Sequence, residues 1–397
     1  MDVSKFNNAA MGDLVEITGS DPMRGAWTHR AFVAAPLGED EPELSAGTYR
    51  AIAAAGRALA ALDATATQLP NPYLLRTPSL RREAQSTSAL EGTYAPLDEV
   101  LTVSADAPSN PRMREILNYV DMANLGFEWV AQGRPFTLGL LEDLQGRLMR
   151  GTSLEGESGR LRDGQVVVGR RDVPEPGRPA IEASRFVPCP PGDMLRSRVE
   201  SLLAWLRRDH AGRIDPLVEA GMAHYQFETL HPFRDGNGRL GRYLIVLSLM
   251  KSGVLSEPTL TVSPWFEARR TEYYDALLSV STDGNWNGYL SFFARGIETS
   301  ATATRTQMLA LVDVQAELKE QVRASKLRSA QAPALIDIAV ANPAFSVDRV
   351  MEETGLSYAR ANGLVKQVED LGLLQTLNPG SRPRRFFAPR VLEVLLA

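Results

Sequence analysis

His231, Asp235, Arg239 and Arg242 stand together in the stretch His-Pro-Phe-Arg-Asp-Gly-Asn-Gly-Arg-Leu-Gly-Arg that runs from 231 to 242. An imidazole takes up a proton near neutral pH. A carboxylate is the hard oxygen ligand that a phosphate-bound Mg2+ prefers. Arg239 and Arg242 are three apart, so on a helix they share a face and can both reach phosphate oxygens. Gly236 and Gly238 let the backbone turn where a β-carbon would clash, and they feed into a helix whose first N–H groups have no internal acceptor and attract anions. One base, one metal ligand and a phosphate cradle are the parts needed to move a group from a nucleotide to a hydroxyl. The chain has no P-loop sequence, so this stretch must itself supply the cradle.

Other readings of the stretch give way on chemistry. Gly236, Gly238 and Gly241 spell GxGxxG, but a dinucleotide fingerprint needs a strand before it, and 225–230 continues a helical pattern. Asp235 and Asn237 open a Ca2+-loop pattern whose twelfth position is Val246, where a bidentate Glu is required. A merely structural helix connection seldom needs a His, an Asp and two Arg beside its glycines.

The elements that must hold this loop are apolar and helix-compatible: 217–230 before it and 240–250 after it, both predicted to lie in the core. His224 and Glu228 precede His231 on the first of these helices, and packing is the expected role of His224. Further helices are predicted over 48–62, 110–133, 138–149 and 193–208. Residues 1–43 read as irregular, and Pro70 and Pro72 mark a loop. Thr77 suits an N-cap, Pro78 a first turn and Gly92 the position after a C-terminus, which predicts a helix over 79–91. Its tail sets Thr87 one turn before Glu91 on one face, and from charge alone it reads as a solvated helix end. Residues 159–169 bracket a Val triplet with glycines and predict a strand or hairpin, followed by a polar, proline-bearing loop to 191. Residues 267–278 carry Tyr273 and Tyr274, which read first as packing aromatics.

The stretch 231–242 matches the whole active-site signature of the Fic-domain family, whose well-known members are protein adenylyltransferases, and the chain resembles that family from about residue 70 onward. The resemblance implies a mainly α fold: a Fic-type helical core over 109–298 with a β-hairpin flap at about 159–190. It implies that His231 deprotonates a Ser, Thr or Tyr hydroxyl of a target protein, or of the chain itself, which attacks the α-phosphate of ATP and releases pyrophosphate. Asp235 is then the Mg2+ ligand. N–H groups at Gly236 and Gly238, with the Asn237 amide, stabilise the transferred phosphoryl, and Arg239 and Arg242 anchor the outer phosphates. Tyr274, the second of a matching tyrosine pair, lines the adenine pocket, although a family Asn seven residues later is Ser281 here. Val166, Val167, Val168 and Gly169 form the flap edge that docks a target segment as an added strand. The run from Thr87 to Gly92 fits the family's inhibitory pattern of a hydroxyl residue, three variable residues, then Glu and Gly. By that resemblance the N-terminal region, 1–108, carries an inhibitory helix at about 77–92, on which Glu91, supported by Thr87, pairs with Arg242 and spoils binding of the ATP γ-phosphate.

The remaining chemistry is bounded by composition. The 397 residues allow two or three domains, and a net charge of −5 argues against a globally basic nucleic-acid binder. One cysteine, Cys189, excludes an intrachain disulfide and a Cys-rich zinc site. No run of eighteen apolar residues occurs, so we expect a soluble, cytoplasmic protein with no membrane partner. A linking helix is predicted over 299–330. Beyond it, helices over 333–341, 346–354 and 357–371 and a hairpin over 374–387 with Arg382, Arg384 and Arg385 make a small winged-helix pattern over 331–397. Seven basic and seven acidic residues there leave no net charge to attract phosphates, which favours protein contact or homodimerisation over DNA binding. Two alternatives stay open on the same scaffold: AMP removal, with Glu91 activating water, and transfer of another phosphate-containing group. A third, different in kind, is a transcriptional regulator resting on the winged helix alone.

Overall fold

The computed structural model describes residues 1–21, 25–68, 73–103, 110–170, 180–377, 379–380 and 383–397. Pro70, Pro72, Arg382, the middle of the 159–190 flap and the expected boundary at 108/109 lie outside them.

The chain opens with a hairpin, β1 (Gly12–Asp21) paired antiparallel with β2 (Gly25–Ala34), which corrects the expectation of irregular chain over 1–43. Val15 and Ile17 turn inward while Glu16 and Thr18 face solvent, and Trp27 and His29 alternate with Thr28 and Arg30, a period of two. So few apolar positions, broken by Gly19 where an added Cβ would overlap the Trp27 ring, hide the strands in the sequence.

The helical body then runs α1 (Ala46–Gln68), α2 (Tyr73–Leu90), α3 (Leu97–Thr102), α4 (Pro111–Ala131) and α5 (Leu138–Leu148). A second hairpin follows, β3 (Val168–Arg170), the short α6 (Ala180–Ala183) and β4 (Ser184–Phe186), with Val168 opposite Phe186. Next come α7 (Asp193–Arg207), α8 (Pro216–Leu230), α9 (Asn237–Lys251), α10 (Ser263–Glu267), α11 (Arg270–Asp283) and the 39-residue α12 (Trp286–Ala324). The C-terminal unit is α13 (Ala332–Ala341), β5 (Phe345–Ser346), α14 (Val347–Thr354), α15 (Tyr358–Asp370), β6 (Gln375–Thr376), β7 (Arg385–Phe387) and α16 (Pro389–Leu396), its strands ordered β5-β7-β6. Starts are set by side-chain caps: Asn110, Thr137, Asp215 and Ser346 each accept a first-turn N–H.

α8 and α9 form the antiparallel centre and are buried on nearly every side, which is why their residues show no amphipathic stripe. The segment expected as a separate linking helix from 299 is continuous with the helix that closes the body, since apolar residues from Tyr289 to Val322 recur along one buried face of α12. The apolar core runs unbroken from α1 through α8 and α9 to the C-terminal unit, so that unit is packed onto the body.

α2 begins four residues before the expected Thr77 cap, with Pro78 inside it. A proline there removes one backbone bond and crowds the preceding turn, a cost near ~3 kcal/mol in an isolated helix. Tertiary contacts offset it: α2 packs against α4, α10 and α13. Buried Glu83 accepts hydrogen bonds from Ser263 N (3.0 Å) and Ser263 Oγ (2.5 Å) at the start of α10. Arg82 donates to Leu395 O of α16 (3.1 Å), and Arg81 to Val100 O and Leu101 O of α3 (3.0 and 2.8 Å). No helix among the described residues is long and apolar enough to cross a membrane.

Candidate active site

α8 ends on His231, whose φ of 49° and ψ of 59° make it the lone non-glycine residue with positive φ among the described residues. That left-handed backbone costs roughly 1–2 kcal/mol for a residue with a Cβ, and it turns the chain sharply out of the helix. Gly236, at φ 82°, turns it back into α9, and a Cβ there would meet Leu148 Cδ2 at 2.9 Å. Asn237 holds the loop closed: its Oδ1 accepts from Phe233 N and its Nδ2 donates to Phe233 O, both at 2.8 Å. The side-chain amide that the sequence offered to the phosphoryl group is therefore spent on loop shape, and the main-chain N–H groups of 237–239 remain as donors at the start of α9. Asn237→Ala should leave both Phe233 groups unsatisfied in a buried setting, lowering stability by about 1–3 kcal/mol, read as a fall in the thermal midpoint.

The His231 ring donates from Nδ1 to Glu228 O (3.3 Å), which leaves Nε2 as the acceptor. Burial pulls its pKa down to about 4, with Glu91 pulling upward and Arg162 adding to the depression, so the imidazole is neutral at physiological pH. His224 is fully buried between Gly241 O (2.9 Å) and Tyr273 OH (2.8 Å), the packing role its position suggested.

Arg242 is completely buried. Its Nη2 meets Glu91 Oε1 at 2.7 Å and Thr87 O at 3.0 Å, and its Nε donates to Thr87 Oγ1 at 2.9 Å. Burial opposes charge on both Glu91 and Arg242, but their mutual attraction outweighs it, holding the carboxyl below and the guanidinium above their usual ranges. The Glu91 carboxylate also lies over the first turn of α9, where a Cβ on Gly238 would overlap Oε1. An anion thus already sits at that helix N-terminus.

Arg239 departs from expectation. Rather than joining Arg242 toward outer phosphates, its buried guanidinium pairs with Glu115 of α4 and lies 3.6 Å from Asp235 Oδ1. Asp235 is 45% exposed at the loop mouth, and its Oδ1 is oriented by Gly236 N at 2.7 Å. One hard, accessible carboxylate suits Mg2+ that takes its other ligands from phosphates and water. Among the described residues no group of three or more His, Cys, Asp or Glu forms a closed metal site.

The cleft above the loop has a volume of ≈ 260 Å3, below the ~300–1,000 Å3 usual for ligand pockets. Its lining includes Glu91 and His231, Tyr274 and Ser281, and Val167 to Gly169 of the flap. Val166, expected on the flap edge, is not in this lining; its carbonyl accepts from Gln165 Nε2 at 3.0 Å. Ser281 Oγ bonds Tyr225 OH at 2.9 Å.

With this geometry in view, comparison with known proteins is specific. Residues 49–128 match the family described as Fic/DOC family N-terminal, and residues 135–249 match the Fic/DOC family itself. The chain carries a Fic/DOC N-terminal region followed by a Fic/DOC domain. It is 33% identical over 144 residues to protein adenylyltransferase fic-1 of Caenorhabditis elegans, a match covering 36% of this chain and 24% of that protein. It is 31% identical over 138 residues to protein adenylyltransferase Fic of Drosophila virilis, covering 35% and 24%. The match thus spans about a quarter of the length of these curated relatives. A crystal structure of a Fic family protein from Desulfovibrio desulfuricans superimposes with a TM-score of 0.54 at 22% identity, covering 88% of this chain and 98% of that one, a likeness of fold.

Glu115, Gln145 and Arg162 escaped the sequence reading as parts of a site, whereas Glu228 was read only as a residue that could orient the loop. Glu115 was one charge among the apolar positions of α4. Glu228, whose Oε1 lies buried against Gly241, has its carboxyl pushed up to about 8 by burial, with Arg242 pulling down and Glu91 adding to the rise. Gln145 and Arg162 bridge segments far apart in sequence, and no local spacing signals that.

Proposed function

We propose that this Fic protein transfers AMP from ATP to a hydroxyl side chain of a protein target, itself included, and that Glu91 restrains the reaction. The observation that carries the reading is the Glu91 carboxylate, set over the N-terminus of α9 and paired with Arg242, where a phosphate would otherwise bind. His231 Nε2 takes the proton from the target hydroxyl. The freed oxygen attacks the α-phosphorus, and the bond from that phosphorus to the bridging oxygen of the β-phosphate breaks, releasing pyrophosphate. Mg2+ held by Asp235 would neutralise charge on the phosphates. Main-chain N–H groups of 237–239 stabilise the equatorial oxygens, and Arg242, once released by Glu91, holds the γ-phosphate. Tyr274 stacks against the base. β3 is paired on one side only, with β4, among the described residues, which supports target docking as an added strand.

The C-terminal unit we read as a winged helix, from its order of helix, strand, helix, helix, strand, strand. Protein contact is favoured over DNA: Arg385 is committed to Thr102 O and Ala344 O, and Arg384 to Asn362 Oδ1 (2.6 Å), so two wing cations are engaged within the chain.

The test incubates the protein with ATP labelled at the α- or the γ-phosphate, with and without cell lysate. Label entering protein from the α position alone is the expected result. Label from the γ position alone would replace AMP transfer with phosphate transfer, and release of AMP from prelabelled protein would identify AMP removal.

A further inference from the structure

Arg162 lies outside the signature, on the first leg of the flap, and is 4% exposed. Its side chain donates to four main-chain carbonyls drawn from three parts of the molecule. Nε reaches His231 O at 2.8 Å, Nη1 reaches Gly164 O at 3.1 Å, and Nη2 reaches Cys189 O and, at 3.5 Å, Leu230 O. Its own N–H donates to Pro232 O at 3.0 Å. The end of α8, the outgoing flap leg and the returning leg therefore meet on one guanidinium. Gln165 ties the legs again through Pro188 O at 2.9 Å. Gln145 makes the matching link on the other side of the loop, donating to Asp235 O at 3.1 Å and accepting from Gly159 N at 2.5 Å.

This arrangement suits arginine on physical grounds. Carbonyls at a helix C-terminus carry partial negative charge and favour a cation. A planar fork of five N–H donors can satisfy acceptors in several directions at once, whereas an ammonium is a compact point charge. His231 holds a left-handed backbone, so the direction of its imidazole depends on what fixes its carbonyl.

We propose that Arg162 is the positioning residue that registers the flap against His231, so that the docked target backbone and the base that deprotonates its hydroxyl are held by one side chain. This rests on the AMP-transfer reading. The charge of Arg162 also faces the imidazole, together with Glu91 from the end of α2, Asp235 from the loop and the Glu228 carbonyl from α8. Arg162 opposes protonation of His231, and the other three favour it.

The test compares Arg162→Met and Arg162→Lys in the full chain carrying Glu91→Gly. His231 is titrated by NMR with labelled histidine, its signal assigned by its loss in His231→Ala, and AMP transfer is measured against varied ATP and varied target protein. Arg162→Met should raise the His231 midpoint by about one pH unit, the size of effect a neighbouring charge exerts, and move the acid limb of the rate profile with it. It should raise KM for the target about 10-fold or more while KM for ATP stays put, because the cradle at α9 does not involve Arg162. Arg162→Lys keeps the charge but loses the fork, so the midpoint should hold while target KM still rises.

An unchanged His231 midpoint in folded Arg162→Met overturns the proposal, as does an unchanged target KM in either variant. If Arg162→Met does not fold, the Lys variant decides through its target KM. If the Glu91→Gly parent transfers nothing, the AMP-transfer reading fails by itself, and the His231 midpoint alone decides whether Arg162 acts on the base.

Discussion

Replacing His231 with Ala should reduce AMP transfer by on the order of 100- to 10,000-fold, the range spanned by a positioned general base. The size follows from what else surrounds the target hydroxyl. Glu228, the acid nearest in the chain, has its carboxyl pushed up to about 8 and is protonated at neutral pH, so it cannot accept the proton. Glu91 is committed to Arg242. His231 alone presents a neutral nitrogen at the cleft, and its pKa of about 4 keeps it a base down to moderately acidic pH. The fold pays for this: because the folded-state value lies below the ordinary ~6.5 of a free histidine, the stability of the neutral ring is complete above that pH and is lost as pH falls from there toward 4. The measurement is transfer of α-labelled AMP by Glu91→Gly with and without His231→Ala, alongside nucleotide affinity by calorimetry. Loss of transfer with affinity preserved is expected. Transfer surviving within a few-fold would remove His231 from the chemistry.

Glu91→Gly should raise AMP transfer by roughly 10- to 100-fold, within the range of a coupling free energy of about 1–3 kcal/mol between two sites. Two consequences of one contact add here. The carboxylate occupies the anion position above α9, and it holds the guanidinium that a γ-phosphate would need. Removing it leaves Arg242, with no exposed surface, short of its compensating charge. The nucleotide-free variant should therefore melt at a lower temperature than the parent, and ATP should restore more stability to the variant than to the parent. Thr87 keeps two hydrogen bonds to Arg242, so the side chain should stay in place. A variant that binds ATP more tightly yet transfers no faster would show that Glu91 does not restrain catalysis. One that melts like the parent would show that the ion pair carries little energy, as its 30% exposed carboxylate side would then explain.

The loop from 231 to 242 was legible because its chemistry is contiguous and its flanking helices are apolar enough to announce themselves. The pairing of Glu91 with Arg242 was legible through resemblance alone: charge patterning made 87–91 a solvated helix end, and only the packing of α2 brings it to the site. The amide of Asn237 and the guanidinium of Arg239 are engaged within the chain by partners that their residue types do not disclose. Residue type says what a group can bond to, whereas the acceptor it finds is set by the turn at Gly236 and by Glu115 on a distant helix. The first hairpin was missed because its alternation involves few apolar residues, and Pro78 misplaced the start of α2 because a local stop signal was outweighed by contacts with α4, α10 and α13. Arg162 shows the remaining limit, since all four partners of its side chain are main-chain carbonyls that any sequence provides.

If Glu91 restrains transfer as proposed, the grip on α2 sets how quickly the protein can switch. Arg81, Arg82 and Glu83 pin the middle of the helix to α3, α16 and α10, whereas Glu91 sits beyond its last residue, next to Gly92 at φ 93°. Under that proposal, the part that must move to free Arg242 is a single terminal turn. Helix ends fray and re-form within about a microsecond, far faster than turnover at the ~10 per second of a median enzyme. Restraint of this kind sets a standing fraction of open molecules at every instant. Product should therefore accumulate from time zero without a lag, at a slow rate proportional to that fraction, and an activator would act by lengthening the open dwell of one turn of helix.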